Sequence, residues 1–140
     1  MKYILIILIS LFISLPSFAN PSGKGIICEC IKCFDSNEKK KGYYFTQDTV
    51  TESSFKLKKD TIIVLNSYAE YSTSITHIKW MWYLVYSLDR KTLILERSGQ
   101  DTLSTFQCEA FVSDIYKKAI NKIKSEYQKE HNLKLKNNKI

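Results

Sequence analysis

Four cysteines, at positions 28, 30, 33 and 108, constrain this chain more than any other feature of its 140 residues. They matter because of what precedes them. Lys2 supplies a positive start, Ile4 to Leu15 is an apolar run broken only by Ser10 and Ser14, and Pro16 ends it. Ser17-Phe18-Ala19 then places small residues where a signal peptidase reads them. The run is shorter than the roughly 20 apolar residues of a membrane span. Residues 1–19 therefore read as a secretory signal peptide, and processing after Ala19 leaves Asn20 to Ile140, 121 residues with no transmembrane segment expected. The expected location is periplasmic or secreted.

In an oxidising compartment four cysteines read as two disulfides, with three possible connectivities. Gly25 to Cys33 is β-branched and of strand length. On a strand Cys28 and Cys30 share one face and have little room to bond each other, whereas Cys33 can curl back where the strand ends. Cys28–Cys108 with Cys30–Cys33 is the preferred pairing. Cys30–Cys108 with Cys28–Cys33 stays open beside it. Two other chemistries compete for the same residues. The cluster could hold zinc or copper, or Cys30-Ile-Lys-Cys33 could exchange disulfides, with Lys32 lowering a thiol pKa. An oxidising compartment consumes the thiols a metal needs, no His follows at ligand spacing, and the redox motif lacks its usual helix. No metal and no cofactor is expected.

Charge divides the processed chain. Asn20 to Asp114 carries 12 Lys/Arg and 12 Asp/Glu, and Ile115 to Ile140 carries eight Lys against two Glu. The neutral part reads as short strands. Ile75 to Leu88 reads as one long strand whose parity shifts near Met81, as a bulge would allow. Asn66 to Ser74 is polar and reads as a loop or irregular edge. Leu88 to Leu95 is the clearest hairpin, with Asp89 placed to accept hydrogen bonds from its own turn. After Ser113 the period changes: Ile115, Tyr116, Ala119, Ile120, Ile123 and Tyr127 recur at spacings of three and four, as on an amphipathic helix.

The expectation is a mainly β chain: a small antiparallel sheet of about seven strands, a sandwich or partly closed barrel, with a C-terminal amphipathic helix and disulfide staples. Its divisions are a β domain over 20–112, a helix over 113–130 and a flexible basic tail over 131–140. Lys117, Lys118, Lys122, Lys124 and Lys129 on that helix are candidates for docking on anionic surfaces or other envelope components. The simpler reading is that its apolar stripe covers the sheet while the lysines are solvated. Nucleic acid is disfavoured for an exported chain. Trp80 and Trp82 could stack on a ligand, although core packing explains them more simply. His77 reads as an outward strand residue, and Glu29 and Glu109 as solvent-face carboxylates rather than a catalytic dyad. No catalytic residue stands out.

Gly23-Lys-Gly-Ile-Ile-Cys28, Tyr86-Ser-Leu-Asp-Arg-Lys-Thr-Leu-Ile-Leu95 and Phe106-Gln-Cys108 resemble a group of short exported proteins of marine α-proteobacteria. That resemblance implies a secreted β protein with Cys on its first and last strands, and it implies no activity. Cys30 and Cys33 depart from the group's single early Cys, which favours Cys28–Cys108. In architecture such a domain is also similar to the lysozyme-inhibitor barrels, without their inhibitory loop motif. The expected function is a non-catalytic binding or structural module. Thiol-redox or metal handling through Cys28, Cys30 and Cys33 is one alternative, and an envelope-associated protein docking through its basic helix is the other.

Overall fold

The computed structural model of the protein describes residues 20–35, 39–100 and 102–137. Residues 1–19, expected as a signal peptide, lie outside the described residues, as does the end of the chain beyond residue 137. Eight strands follow one another: β1 (Lys24–Lys32), β2 (Lys41–Phe45), β3 (Thr49–Lys58), β4 (Thr61–Thr73), β5 (His77–Met81), β6 (Val85–Asp89), β7 (Ile94–Ser98) and β8 (Leu103–Val112). Helix α1 (Ser113–Asn137) leaves β8 with no intervening loop. Each strand pairs antiparallel with the next, and β8 returns to β1, so the sheet closes into a barrel. Of the sandwich or partly closed barrel of about seven strands expected, the barrel is what forms, fully closed and with eight strands.

Period-two alternation explains the core. Ile26 and Cys28, Tyr43 and Phe45, Ile78 and Trp80, Tyr86 and Leu88, and Phe106 and Cys108 all point inward and form one buried cluster. An eight-stranded barrel encloses just enough space for its own side chains, and here aromatic rings fill it. Trp80 stacks on Tyr86 with centroids 5.3 Å apart and meets Phe45 edge-on.

A second core lies outside the barrel wall. Tyr116, Ile120 and Ile123 of α1 are buried against Phe55 and Ile62, with Tyr44, Val64 and Tyr127 around them. The barrel offers a flat seat here because Gly25 and Gly42 have no side chains; a Cβ on either would collide with the Tyr116 ring. The helix therefore covers the outside of a closed barrel instead of capping an open sheet.

Three local expectations are corrected. Ile75 to Leu88 is not one bulged strand: Trp82 to Leu84 turn between β5 and β6, and the inward positions keep one parity across that turn, Ile78 and Trp80 before it and Tyr86 and Leu88 after it, while Tyr83 and Val85 are exposed. Asn66 to Ser74, expected as a loop or irregular edge, is a regular strand edge: β4 runs through to Thr73 and pairs with β5 only from Tyr71 onward. The helix also continues past 130 to Asn137. Gln128 accepts the Ile62 N–H at 2.7 Å and donates to the Asp60 carbonyl at 2.9 Å, and His131 sits 3.3 Å from the Asp60 carboxylate. Lys134 reaches back to Glu130 at 2.6 Å, an i,i+4 pair that supports the last turns.

Both disulfides of the preferred pairing are present, Cys28–Cys108 and Cys30–Cys33. Cys28 and Cys108 are directly opposed on β1 and β8, with Cα atoms 4.0 Å apart. The Cys108 N–H turns away to the Leu93 carbonyl. That makes the β1–β8 pair a non-hydrogen-bonded one, where side chains approach closest.

Candidate functional site

One end of the barrel forms a cup of about 380 Å³. Ile26, Phe45, Ile78 and Leu88 make its floor, all at most 4% exposed. Lys24, Arg90 and Lys91 stand on its rim. Barrel mouths are recurrent ligand sites, with volumes of about 300–1,000 Å³, apolar walls and a few placed polar groups.

The rim is held by short local bonds. Asp89 ends β6 and accepts the Lys91 and Thr92 N–H groups, each at 2.8 Å, as the sequence suggested. These two amides hold its carboxyl below the ordinary carboxylate range. The anchoring is therefore in place above that range and is given up as pH falls through the lowered value. Arg90 donates from its guanidinium to the Ser74 carbonyl at 2.8 Å and from its backbone to the Thr76 carbonyl. Leu93 takes a left-handed conformation (φ 55°) that carries the chain from the rim into β7. On the opposite side Gly23 (φ 78°) turns the N-terminal segment so that its N–H meets the Phe45 carbonyl, and the Tyr71 hydroxyl ties Thr46 and Gln47 of the β2–β3 turn.

The structure places the sequence candidates elsewhere. Trp80 is 3% exposed inside the barrel, and the Trp82 indole N–H donates to the Tyr68 carbonyl at 2.8 Å. Both rings pack in the core instead of forming an open platform for a ligand. His77 lies at the start of β5 with Nε2 4.0 Å from Asp89. Glu29 and Glu109 line an outer depression of about 430 Å³ over β1 and β8, where Lys40 pairs with Glu29 at 3.0 Å. That contact raises the Lys40 pKa. On α1, Lys118, Lys122 and Lys129 lie on the side away from the buried stripe, Lys117 is exposed and Lys124 half-buried. Lys122 faces Glu126 at 4.0 Å.

All four cysteines are bonded, so no thiolate is left to ligate a metal, while Cys30–Cys33 is the form that an oxidised exchanging pair also takes. No group of three His, Cys, Asp or Glu suited to a metal occurs among the described residues. The two disulfides differ in access: Cys28 and Cys108 are buried, whereas Cys33 is exposed between Ile31 and Phe34, themselves 62% and 69% exposed. Graded reduction with alkylation and mass mapping is expected to open Cys30–Cys33 first. That opening removes a loop of only four residues, so the midpoint of urea unfolding should fall by the equivalent of about 2 kcal/mol or less.

Two disulfides belong to an oxidising, extracytoplasmic environment. No helix among the described residues is long and apolar enough to cross a membrane. No protein-family model, curated protein or solved structure matches the chain.

The mouth escaped the sequence reading because its parts lie far apart. Lys24, Ile26, Ile78 and Leu88 through Lys91 meet only once β8 has closed on β1. Inward apolar residues beside a basic turn were the only trace they left.

Proposed function

We propose that this protein is an exported, non-catalytic binding barrel that takes a small amphiphile with an acidic head at its mouth. The single observation behind this reading is the cup itself, an apolar floor of Ile26, Phe45, Ile78 and Leu88 beneath a rim of Lys24, Arg90 and Lys91. An apolar chain gains about 0.8 kcal/mol for each methylene it buries there. A carboxylate left at the rim keeps its contact with water and gains the cations. The volume suits one short chain and no large ligand. Periplasmic or secreted placement agrees with the N-terminal segment, with the disulfides and with the resemblance to short exported proteins.

The other two readings draw less support. Disulfide bonding leaves no thiolate to hold a metal, Cys30–Cys33 sits at the end of a strand and not at a helix start, and Lys122 and Lys134 of α1 pair with Glu126 and Glu130.

Calorimetric titration of the oxidised protein with decanoate tests the reading. Saturable one-to-one binding is expected, weaker for octanoate by roughly tenfold for the two methylenes lost and absent for acetate. Lys24→Glu with Lys91→Glu should weaken decanoate by about tenfold while the circular dichroism stays unchanged. No saturable decanoate binding at millimolar concentration would refute the proposal.

A further inference from the structure

The two disulfides meet solvent differently, and so do the two ends of the second. Cys28 and Cys108 are buried. Cys33 is exposed, whereas Cys30 is half-buried and packs against the barrel core. In thiol–disulfide exchange a thiolate must reach one sulfur while the other leaves, so access decides which is attacked. Cys33 is the open side of this bond, and Cys30 is the leaving side.

The backbone around the pair is held without help from the disulfide. Cys30 pairs with Phe106 and Lys32 with Thr105, and a bulge between them shifts the register of β1 against β8. Bulges re-aim side chains at such points. Beyond Cys33, the Phe34 N–H donates to Ser104 Oγ at 3.1 Å. Ser104 is 1% exposed and also accepts from the Arg97 guanidinium at 3.2 Å. β8 thus grips the loop both before and after Cys33. With the S–S bond open, the two sulfurs stay within reach of each other at high effective concentration.

We infer that Cys30–Cys33 is a thiol-exchange site, which takes an incoming thiolate on Cys33 and keeps Cys30 as the group that expels it. The thiolate attacks Cys33 Sγ, and a new S–S bond forms there. The Cys30–Cys33 bond breaks, and Cys30 Sγ leaves with the electron pair and takes a proton from water. The return step reverses this: the Cys30 thiolate attacks Cys33 Sγ, the first bond re-forms and the incoming thiol is released. One thiolate adds for each that leaves, so the cycle needs no oxidant or reductant. A dithiol catalyst relies on a lowered thiol pKa, as a helix start supplies. An electrophilic disulfide needs only access at one sulfur and a tether on the other, and both are present. The incoming group is the thiolate of a small thiol or of a cysteine in another protein. β1 runs from the mouth at Lys24 to this end, so the site lies across the barrel from the cup and stands independently of the binding proposal.

Exchange of the oxidised protein with millimolar glutathione, stopped by acid and mapped by peptic digestion and mass spectrometry, tests the inference. The glutathione adduct is expected on Cys33, at least about tenfold over Cys30, with Cys28–Cys108 intact. Removed from glutathione, the wild-type protein should lose the adduct and regain the bond. Cys30→Ser, loaded on Cys33 from glutathione disulfide, should keep its adduct, with circular dichroism checking the fold. A cysteine peptide with leucines beside the thiol, compared with glutathione at equal thiolate, separates the two sources. Faster addition of the peptide, aided by exposed Ile31 and Phe34 around Cys33, assigns a protein cysteine; equal or slower addition assigns a small thiol. An adduct mainly on Cys30, or no adduct on the folded protein, overturns the inference whatever the variant does. A Cys30→Ser adduct lost as fast as the wild-type one overturns it too.

Discussion

Replacing Cys28 and Cys108 together by alanine is expected to lower stability by about 4 kcal/mol, because their bond closes 80 residues of chain. A domain of this size has only about 5–15 kcal/mol in total, so the variant should sit near the limit of folding at 37 °C. The bond also joins the first and last strands of a barrel that β1 and β8 alone close. Its loss should therefore act on closure as well as on the unfolded chain. Urea unfolding of the double variant, beside Cys30→Ala with Cys33→Ala, gives the comparison. The second pair should cost about 2 kcal/mol or less, since it spans three positions on the exposed end of β1. Equal losses from the two pairs would contradict the assignment of Cys28–Cys108 as the structural staple.

The seat of α1 gives the second large effect. Tyr116 is 5% exposed, lies over Gly25 and Gly42, and brings its hydroxyl to 3.4 Å from Ser53 Oγ. Tyr116→Ala should cost about 3–5 kcal/mol, the range for emptying a buried aromatic site. Gly25→Ala should cost about 1–3 kcal/mol by overfilling the same site. In the double variant the new methyl enters space the ring has vacated. The combined loss is therefore expected to fall short of the sum by at least about 1 kcal/mol. Strict additivity would mean that Gly25 and Tyr116 are not packed on each other.

Much of this fold was legible in the sequence, and the exceptions have physical causes. Alternation along Gly25–Cys33 and the threes and fours of Tyr116, Ile120 and Ile123 report local periodicity, which a chain carries on its face. Asp89 announced its turn because an Asx residue acts on its own neighbours. The cysteine pairing was narrowed to two by strand geometry. The preferred Cys28–Cys108 bond already brought the first strand to the last, whereas full closure, as against a sandwich or partly closed barrel, depends on shear and register summed over all eight strands. The polar strand Asn66–Thr73 looked like a loop or irregular edge since β3 supplies its order, and the apolar but exposed Tyr83 and Val85 suggested a parity shift that the hairpin at Trp82–Leu84 does not make. Trp80 and Trp82 attracted a ligand reading because amphipathic rings serve cores and binding sites alike. Only the enclosure separates the two uses.

The central claim is that the mouth holds an acidic amphiphile, and amide chemical-shift mapping tests it most directly. Titrating decanoate into the isotope-labelled, oxidised protein should shift Lys24, Ile26, Leu88, Arg90 and Lys91 saturably and together. The outer face of α1 should stay still. Shifts that are absent at the mouth, or that gather instead along the lysines of α1, would contradict the account.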